Sequence, residues 1–197
     1  MNDLVNGQCK MVTFIFARAT TEAGNMGAAA GSGVARYLAG HYGLPNVAIQ
    51  GVKYPADIAG NLMPGGCSSA GISESVRLFN LANTKCPETI IVAGGYSQGT
   101  ACMHRSIPKL TAAVQSKIVG VVLFGDTQAA QTGRKIQGLG PEKVKIYCNT
   151  GDGVCGGTLA ITTAHFQYTP FVAPATQFLI ERIDAKQFMF PMIGSKK

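Results

Sequence analysis

A three-layer α/β fold with a doubly wound parallel sheet is the class that the sequence predicts, on two observations. Short apolar runs, rich in β-branched and aromatic residues, alternate along the chain with longer stretches of helical pattern. In addition, 46% of the 197 residues are hydrophobic and only 14% are charged, which is typical of one compact core. We therefore expect a single domain over residues 1–197, with helices covering both faces of the sheet.

Apolar runs predict the strands, and longer stretches between them predict the helices. The strands are expected at residues 11–16, 47–50, 90–93, 118–124 and 144–147. The helices are expected at residues 26–41, with Asn25 as the N-cap, and at 69–83, 98–110 and 175–188. Because strand and helix alternate throughout, the connections are right-handed crossovers and the strands are parallel. The apolar tail at residues 188–193 is expected to pack on the body of the protein.

The stretch GGYSQGTA, residues 94–101, directly follows the third predicted strand. Its pattern Gly95-x-Ser97-x-Gly99 is that of a nucleophile elbow, in which a strained turn between strand and helix presents the serine hydroxyl. Ligands of open α/β sheets bind at the carboxyl ends of the strands, where Ser97 is expected. The pattern predicts a nucleophilic serine, with a simple tight turn as the alternative.

A serine nucleophile needs a base, and the chain has three histidines. His41 lies near a predicted helix end, where an imidazole interacts favourably with the helix dipole. His104 is on the same helix as Ser97, about two turns or roughly 10 Å further along its axis. His165 lies in a late loop and is the predicted base.

The acid that orients the base is predicted to be Asp152, because it gives the chain order Ser, Asp, His of the α/β hydrolases. Cys148 and Cys155 flank this aspartate, and a bridge between them would hold its carboxylate rigidly against a histidine. Asp126, after the fourth predicted strand, is the rival for this role. Asp57 and Glu74 precede the nucleophile and fit the order less well.

An oxyanion intermediate requires backbone N–H donors. Gln98, at the start of the helix after Ser97, is expected to supply one N–H group. The second donor is expected from the loop at residues 17–22, where Thr20 or Thr21 could add a hydroxyl. Threonines in such loops also simply close turns.

Composition excludes several other functions. The net charge is +7, but the 17 lysines and arginines are scattered, so no nucleic-acid partner is expected. The chain has no run of 18 apolar residues, which is the length needed to span a bilayer. We therefore expect a soluble protein. The cluster at residues 27–33 lacks the third glycine of a dinucleotide loop. Neither a cofactor nor a metal is expected, since no histidines stand near the cysteines at zinc spacing.

Six cysteines, an even number, indicate disulfides and an oxidising compartment. We therefore expect a secreted, extracellular protein. The first residues do not show a basic segment followed by an apolar one, so a secretory signal is expected to be already absent from this numbering.

Four stretches resemble the fungal cutinases, small lidless serine esterases of the α/β-hydrolase fold. ARATTE resembles their oxyanion loop, ANTKCPETIIVAGGYSQGTA their nucleophile strand and elbow, VLFG the next strand, and YCNTGDGVC with AH their acid and base loops. The resemblance extends over residues 9–183. It implies Ser97, Asp152 and His165 as the triad, and Thr20 and Gln98 as the oxyanion donors.

The resemblance also implies disulfides between Cys9 and Cys86 and between Cys148 and Cys155. Cys67 and Cys102 are not part of these two bridges. The helices that begin near residues 68 and 98 should lie side by side, so these two cysteines form either a third disulfide or two buried thiols.

The resemblance implies hydrolysis of cutin-like or other aliphatic polyesters and of short- to medium-chain acyl esters by a monomer. An apolar acyl groove beside the triad is expected from Leu62, Met63, Ile161, Phe166 and Phe171. The stretches KYPAD and LFGD resemble acetylxylan esterases as much as cutinases, so an acetylxylan esterase or a lipase-like member of this fold is the alternative. A non-catalytic binding protein on the same scaffold is a third interpretation, which the complete triad disfavours.

Overall fold

The computed structural model describes residues 1–189 and contains a five-stranded sheet in which all strands are parallel. The strands are β1 (Val12–Ala17), β2 (Val47–Gly51), β3 (Ile90–Tyr96), β4 (Ile118–Phe124) and β5 (Val144–Tyr147). Their order is β2-β1-β3-β4-β5. The doubly wound parallel sheet is thus confirmed, and the five predicted strands are all present within three residues of their predicted ends.

The described part of the chain contains four long helices and three short ones, of which α1 precedes the first strand and α7 follows the last. The long helices are α2 (Ala30–Tyr42), α3 (Ser69–Lys85), α4 (Gln98–Ser106) and α7 (Val172–Met189). The short helices are α1 (Asp3–Asn6), α5 (Ala112–Lys117) and α6 (Ala129–Thr132), which the sequence analysis did not predict. Among residues 1–189 no helix has the length and apolar character needed to cross a membrane.

The sheet separates two hydrophobic cores. Side chains of a strand point alternately to opposite faces, and along β1 Phe14 and Phe16 face one core while Ile15 and Ala17 face the other. The first core is closed by α2 and α7, and the second by α3 and α4. Since β1 is buried at all six positions, the sheet forms the middle of three layers.

All four predicted helices differ from the prediction at one end or both, and two of them differ by four residues. The helix α2 begins at Ala30 rather than at residue 26, because the Asn25 side chain donates to Met1 O at 2.8 Å and does not cap a helix. The helix α4 ends at Ser106, and residues 107–109 continue as one 3₁₀ turn. The tail predicted to pack on the body begins with the exposed Phe188 and Met189, and its remaining residues lie outside the described part of the chain.

Three disulfides join the six cysteines. The bridge Cys9–Cys86 fixes the segment before β1 to the end of α3, and Cys148–Cys155 closes the loop after β5. The bridge Cys67–Cys102 joins the segment before α3 to α4. All the pairings expected from the resemblance are confirmed, and the open alternative for Cys67 and Cys102 is settled as a disulfide.

Candidate active site

Ser97 lies in a strained turn between β3 and α4. Its backbone φ is +53°, in the left-handed region that non-glycine residues rarely adopt. A Cβ at Gly95 would come within 2.5 Å of the Gly99 carbonyl, and one at Gly99 would overlap the Ala17 carbonyl. The two glycines therefore let strand and helix approach closely enough to form the turn.

The structure brings Ser97, His165 and Asp152 together at the carboxyl edge of the sheet. The His165 Nε2 atom lies 2.8 Å from Ser97 Oγ, and its Nδ1 atom lies 2.9 Å from Asp152 Oδ2. All three residues are at most 6% exposed. Such a chain of hydrogen bonds lets an imidazole take a hydroxyl proton while a carboxylate orients the ring.

The loops that carry Asp152 and His165 are fastened to each other. The Asn149 side chain donates to the carbonyls of Ala164 and Gln167, at 3.0 and 2.6 Å. The Tyr168 hydroxyl donates to Asp152 Oδ2 at 2.6 Å. Because these bonds cross between the two loops, they fix the carboxylate and the imidazole relative to each other.

Two tyrosines beside Ser97, Asp152 and His165 remain neutral donors to high pH. Burial, together with the carboxylates of Glu22 and Asp152, raises the pKa of Tyr96 to about 12. Its hydroxyl donates to the His165 carbonyl at 2.5 Å. Burial and the hydrogen bond to Asp152 also raise the pKa of Tyr168 well above its usual value. Sequence reasoning missed both side chains.

The residues predicted to hold an oxyanion lie around Ser97. Gln98 is the first residue of α4, and the first N–H groups of a helix have no partner within it. Thr20 lines the same cavity as Ser97. The Thr20 hydroxyl oxygen lies 2.9 Å from Asn61 Nδ2 and 3.3 Å from Gln98 Nε2. Asn61 was not predicted as a site residue.

A cavity of about 620 Å³ opens beside Ser97 and is lined mainly by apolar side chains. Of the predicted groove residues, Leu62, Ile161 and Phe166 line it. Met63 is exposed but is not among the lining residues, and Phe171 instead packs its ring against Tyr147 and Tyr168. The further apolar lining residues are Ala19, Ala29, Ile58, Tyr96, Val154 and Leu159.

The rival histidine and aspartate pair with each other. His104 Nε2 lies 2.9 Å from Asp126 Oδ2, and both side chains are buried. His41 stacks edge-on against Tyr42 in the last turn of α2. Among the described residues, no group of three or more His, Cys, Asp and Glu side chains could hold a metal ion.

Comparison with known proteins identifies relatives over most of the chain. The family model named Cutinase matches residues 8–183. A cutinase of Didymella rabiei is 51% identical over 183 residues, which cover 91% of this chain and 81% of the relative.

Two solved structures resemble the fold. A Trichoderma reesei cutinase in complex with a phosphonate inhibitor superposes with a TM-score of 0.79 at 32% identity, covering 89% of this chain and 77% of the other. An acetylxylan esterase superposes with a TM-score of 0.71 at 21% identity, covering 89% and 100%, and shows the fold alone. By the match over residues 8–183 and the identity to a curated relative, this chain belongs to the cutinase family of carboxylic ester hydrolases.

Proposed function

We propose that the chain is a serine esterase in which Ser97 is the nucleophile, His165 the general base and Asp152 the acid that orients it. The observation that carries the proposal is the unbroken chain of hydrogen bonds from Ser97 Oγ through the imidazole to Asp152 Oδ2. The strained turn at Ser97 adds support, since such strain is typical of functional sites.

The backbone N–H groups of Gln98 and Thr20 are proposed to hold the oxyanion. A hydroxyl has one donor and two acceptor positions. The amides of Asn61 and Gln98 lie at hydrogen-bond distance from the Thr20 hydroxyl oxygen. With both acceptor positions taken, the Thr20 O–H remains available to donate to an oxyanion in the cavity.

The reaction proceeds through an acyl-enzyme. Ser97 Oγ attacks the ester carbonyl as its proton passes to His165 Nε2, while Asp152 stays ionised beside Nδ1–H. The imidazolium then gives this proton to the leaving alkoxide, which departs as the alcohol. Water attacks the acyl-enzyme with His165 again as base, and the acid is released as Ser97 regains its proton.

The proposed substrates are cutin-like or other aliphatic polyesters and short- to medium-chain acyl esters. The cavity beside Ser97 is largely apolar, which favours an aliphatic acyl chain over a sugar. Leu62 and Phe166 at its edge are 73% and 67% exposed, so among residues 1–189 no segment covers them and an insoluble polymer can reach the site. Two relatives named above carry the name cutinase.

We further propose that the protein is secreted and works as a monomer without a nucleic-acid partner. Three disulfides are typical of proteins from oxidising compartments. The family match over residues 8–183 supports one domain over residues 1–197.

The experiment that tests the proposed chemistry measures kcat/KM for p-nitrophenyl esters from acetate to dodecanoate, with Ser97→Ala as the control. We expect this substitution to lower turnover by about four to six orders of magnitude and to leave the fold intact. Hydrolysis retained by the variant would contradict the assignment of Ser97.

The acyl-length profile separates the alternatives. A maximum at intermediate esters, from butyrate upward but short of the longest, supports an apolar acyl groove and the hydrolysis of polyesters. A steep preference for acetate would move the assignment to an acetylxylan esterase, as the stretches KYPAD and LFGD suggest. A maximum at the longest esters would favour a lipase-like enzyme. No turnover above the Ser97→Ala control would indicate a binding protein on this scaffold.

A further inference from the structure

The Glu22 carboxylate accepts hydrogen bonds from three backbone N–H groups in the loops beside the nucleophile. Its Oε2 atom accepts from Ala19 N–H at 2.9 Å, and its Oε1 atom accepts from the N–H groups of Ala28 and Ala29 at 3.1 Å each. Glu22 is half-buried and lines the cavity next to Ser97. The acyl-transfer steps described above do not use this carboxylate.

The backbone around Gly27 fits this carboxylate closely. Gly27 has a φ of +70°, and a Cβ there would overlap the carboxylate of Glu22. Glycine therefore suits the backbone conformation, and any larger residue here would have to displace the Glu22 carboxylate. The N–H groups that follow, at Ala28 and Ala29, converge on Oε1, in the manner of the backbone concavities that bind anions.

The loop that Glu22 holds is strained next to Thr20. Thr21 has a φ of +64°, a conformation that is unfavourable for a β-branched residue and persists only when the surroundings enforce it. Its N–H donates to the Ala56 carbonyl at 2.8 Å, and Arg18 Nε donates to the Glu22 carbonyl at 2.7 Å. The bond from Ala19 N–H to the carboxylate fastens the other side of Thr20.

We propose that Glu22 is a positioning residue, whose ionised carboxylate fixes Thr20 where the oxyanion develops. This inference rests on the function proposed above for Thr20. The three backbone N–H groups use both oxygens of the Glu22 carboxylate as acceptors. A glutamine offers one acceptor oxygen and sets an NH₂ donor against a backbone N–H, so it holds only one of the two loop segments.

The test compares Glu22→Gln and Gly27→Ala with the parent enzyme, using p-nitrophenyl butyrate. We expect kcat per folded protein to fall roughly 10- to 100-fold, because a displaced oxyanion donor stabilises the transition state less. KM should stay within about twofold of the parent value, since the ground-state carbonyl depends little on these donors.

Two variants serve as matched controls. Gly24 has a φ of +69° but nothing within 4 Å of a Cβ, so Gly24→Ala introduces the same backbone strain without touching Glu22. Glu74 pairs with Arg77 on α3 and is not among the residues that line the cavity, so Glu74→Gln removes a carboxylate that does not line it. Both controls should keep kcat within about twofold of the parent.

A butylboronic acid inhibitor supplies a readout that a structural defect alone would not move. Its tetrahedral adduct with a serine places an oxygen in the oxyanion hole, so its Ki should rise by about the factor by which kcat falls. Unchanged kcat and Ki in Glu22→Gln and Gly27→Ala would overturn the inference, as would a rise in KM alone. Equal losses in Gly24→Ala would also overturn it.

Failure of this inference is distinguishable from failure of the proposed function. An inactive Ser97→Ala with a fully active Glu22→Gln would remove only the role of Glu22. An active Ser97→Ala would remove the proposed mechanism itself, whatever the Glu22 variants do.

Discussion

The Asp152 carboxylate is held from three sides, and two of its partners belong to residues outside the predicted triad. Oδ2 accepts from the Tyr168 hydroxyl as well as from His165, and Oδ1 accepts from Val154 N–H at 3.2 Å. The Tyr168 hydroxyl in turn accepts from Asn149 N–H at 3.0 Å. Tyr168 thus joins the loop that carries Asp152 to the turn that carries His165.

Tyr168→Phe should therefore impair catalysis without preventing folding. A hydrogen bond to a charged group contributes about 1.5–3 kcal/mol, and loss of part of this in the transition state should lower kcat/KM about tenfold. Tyr42→Phe is the matched control, because the Tyr42 hydroxyl donates to Asp184 at 2.6 Å, away from the cavity lining. Equal kcat/KM values for both variants would contradict a positioning role for Tyr168.

The site residues that could be predicted from the sequence are those that belong to a recognisable motif or chain order. Ser97 and Gln98 stand in a motif, and Asp152 and His165 stand in a chain order that one family of folds shares. Asn61 and Tyr168 carry no such signal, because an asparagine or tyrosine in a loop has many uses. Their contacts with Thr20 and Asp152 depend on how distant loops meet.

The helix α4 and the loop after β4 are joined by a buried pair that lies behind the site. His104 on α4 contacts Asp126, whose Oδ1 atom also accepts from Gln128 N–H at 2.9 Å. A Cβ placed on Gly125, the residue before Asp126, would come within about 3 Å of both His165 and Asp152. The Gly125 backbone therefore packs directly against these two side chains. The pair thus connects α4 with the backbone that lies against His165 and Asp152.

Breaking this pair should destabilise the protein strongly. Removing one partner of a buried pair leaves an uncompensated polar group and costs about 3–5 kcal/mol. We expect this loss of unfolding free energy for His104→Ala and for Asp126→Ala. The double variant should lose less free energy than the sum of the two single losses. Urea unfolding with intact disulfides measures these free energies.

The pair Glu74–Arg77, in which the arginine is exposed, is the control for that cycle, because ion pairs at the surface contribute only about 0–1 kcal/mol. Losses of similar size for both pairs would show that burial does not strengthen the His104–Asp126 interaction.

The start of α2 illustrates which parts of an element the sequence does not determine. Residues 26–29 have a helix-compatible composition, but Ala28 and Ala29 donate their N–H groups to Glu22 instead. Asn25 is a good N-cap by type, yet its side chain contacts Met1. Both outcomes depend on tertiary contacts, which override local preference.

Three buried tyrosines in different parts of the fold make the stability of the whole molecule depend on pH. Tyr54, Tyr96 and Tyr168 are each at most 5% exposed, and burial raises the pKa of all three above the usual value. A phenol with a raised pKa keeps its proton in the folded protein and releases it on unfolding. The stability that it contributes is therefore complete below pH 10 and is lost as the pH rises through the folded pKa.

We expect the free energy of unfolding to fall above pH 10, by about 1.4 kcal/mol per pH unit for each of these tyrosines. Urea unfolding between pH 8 and 11.5, with phenolate absorbance at 295 nm, measures this slope. Tyr54→Phe should make it shallower, whereas Tyr37→Phe, at a half-exposed side chain, should not. A free energy independent of pH up to 11.5 would refute the expectation.

The class of fold was predictable because alternation of buried strands and helices is a property of the whole chain. The strand order β2-β1-β3-β4-β5 was not, because it depends on which helix packs on which face. The third disulfide followed from the fold class only as one of two options, since it needs α3 and α4 to meet at Cys67 and Cys102.

The exposed apolar side chains at the edge of the cavity should also let the protein adsorb to other apolar surfaces in solution. Ile58, Leu62 and Phe166 are each more than 65% exposed, so they are available to any apolar boundary and not only to an ester. Detergent micelles, air bubbles and plastic walls would compete with a solid substrate for this patch. The rate on a solid would then follow its accessible area, and adding more protein would stop helping once that area is covered.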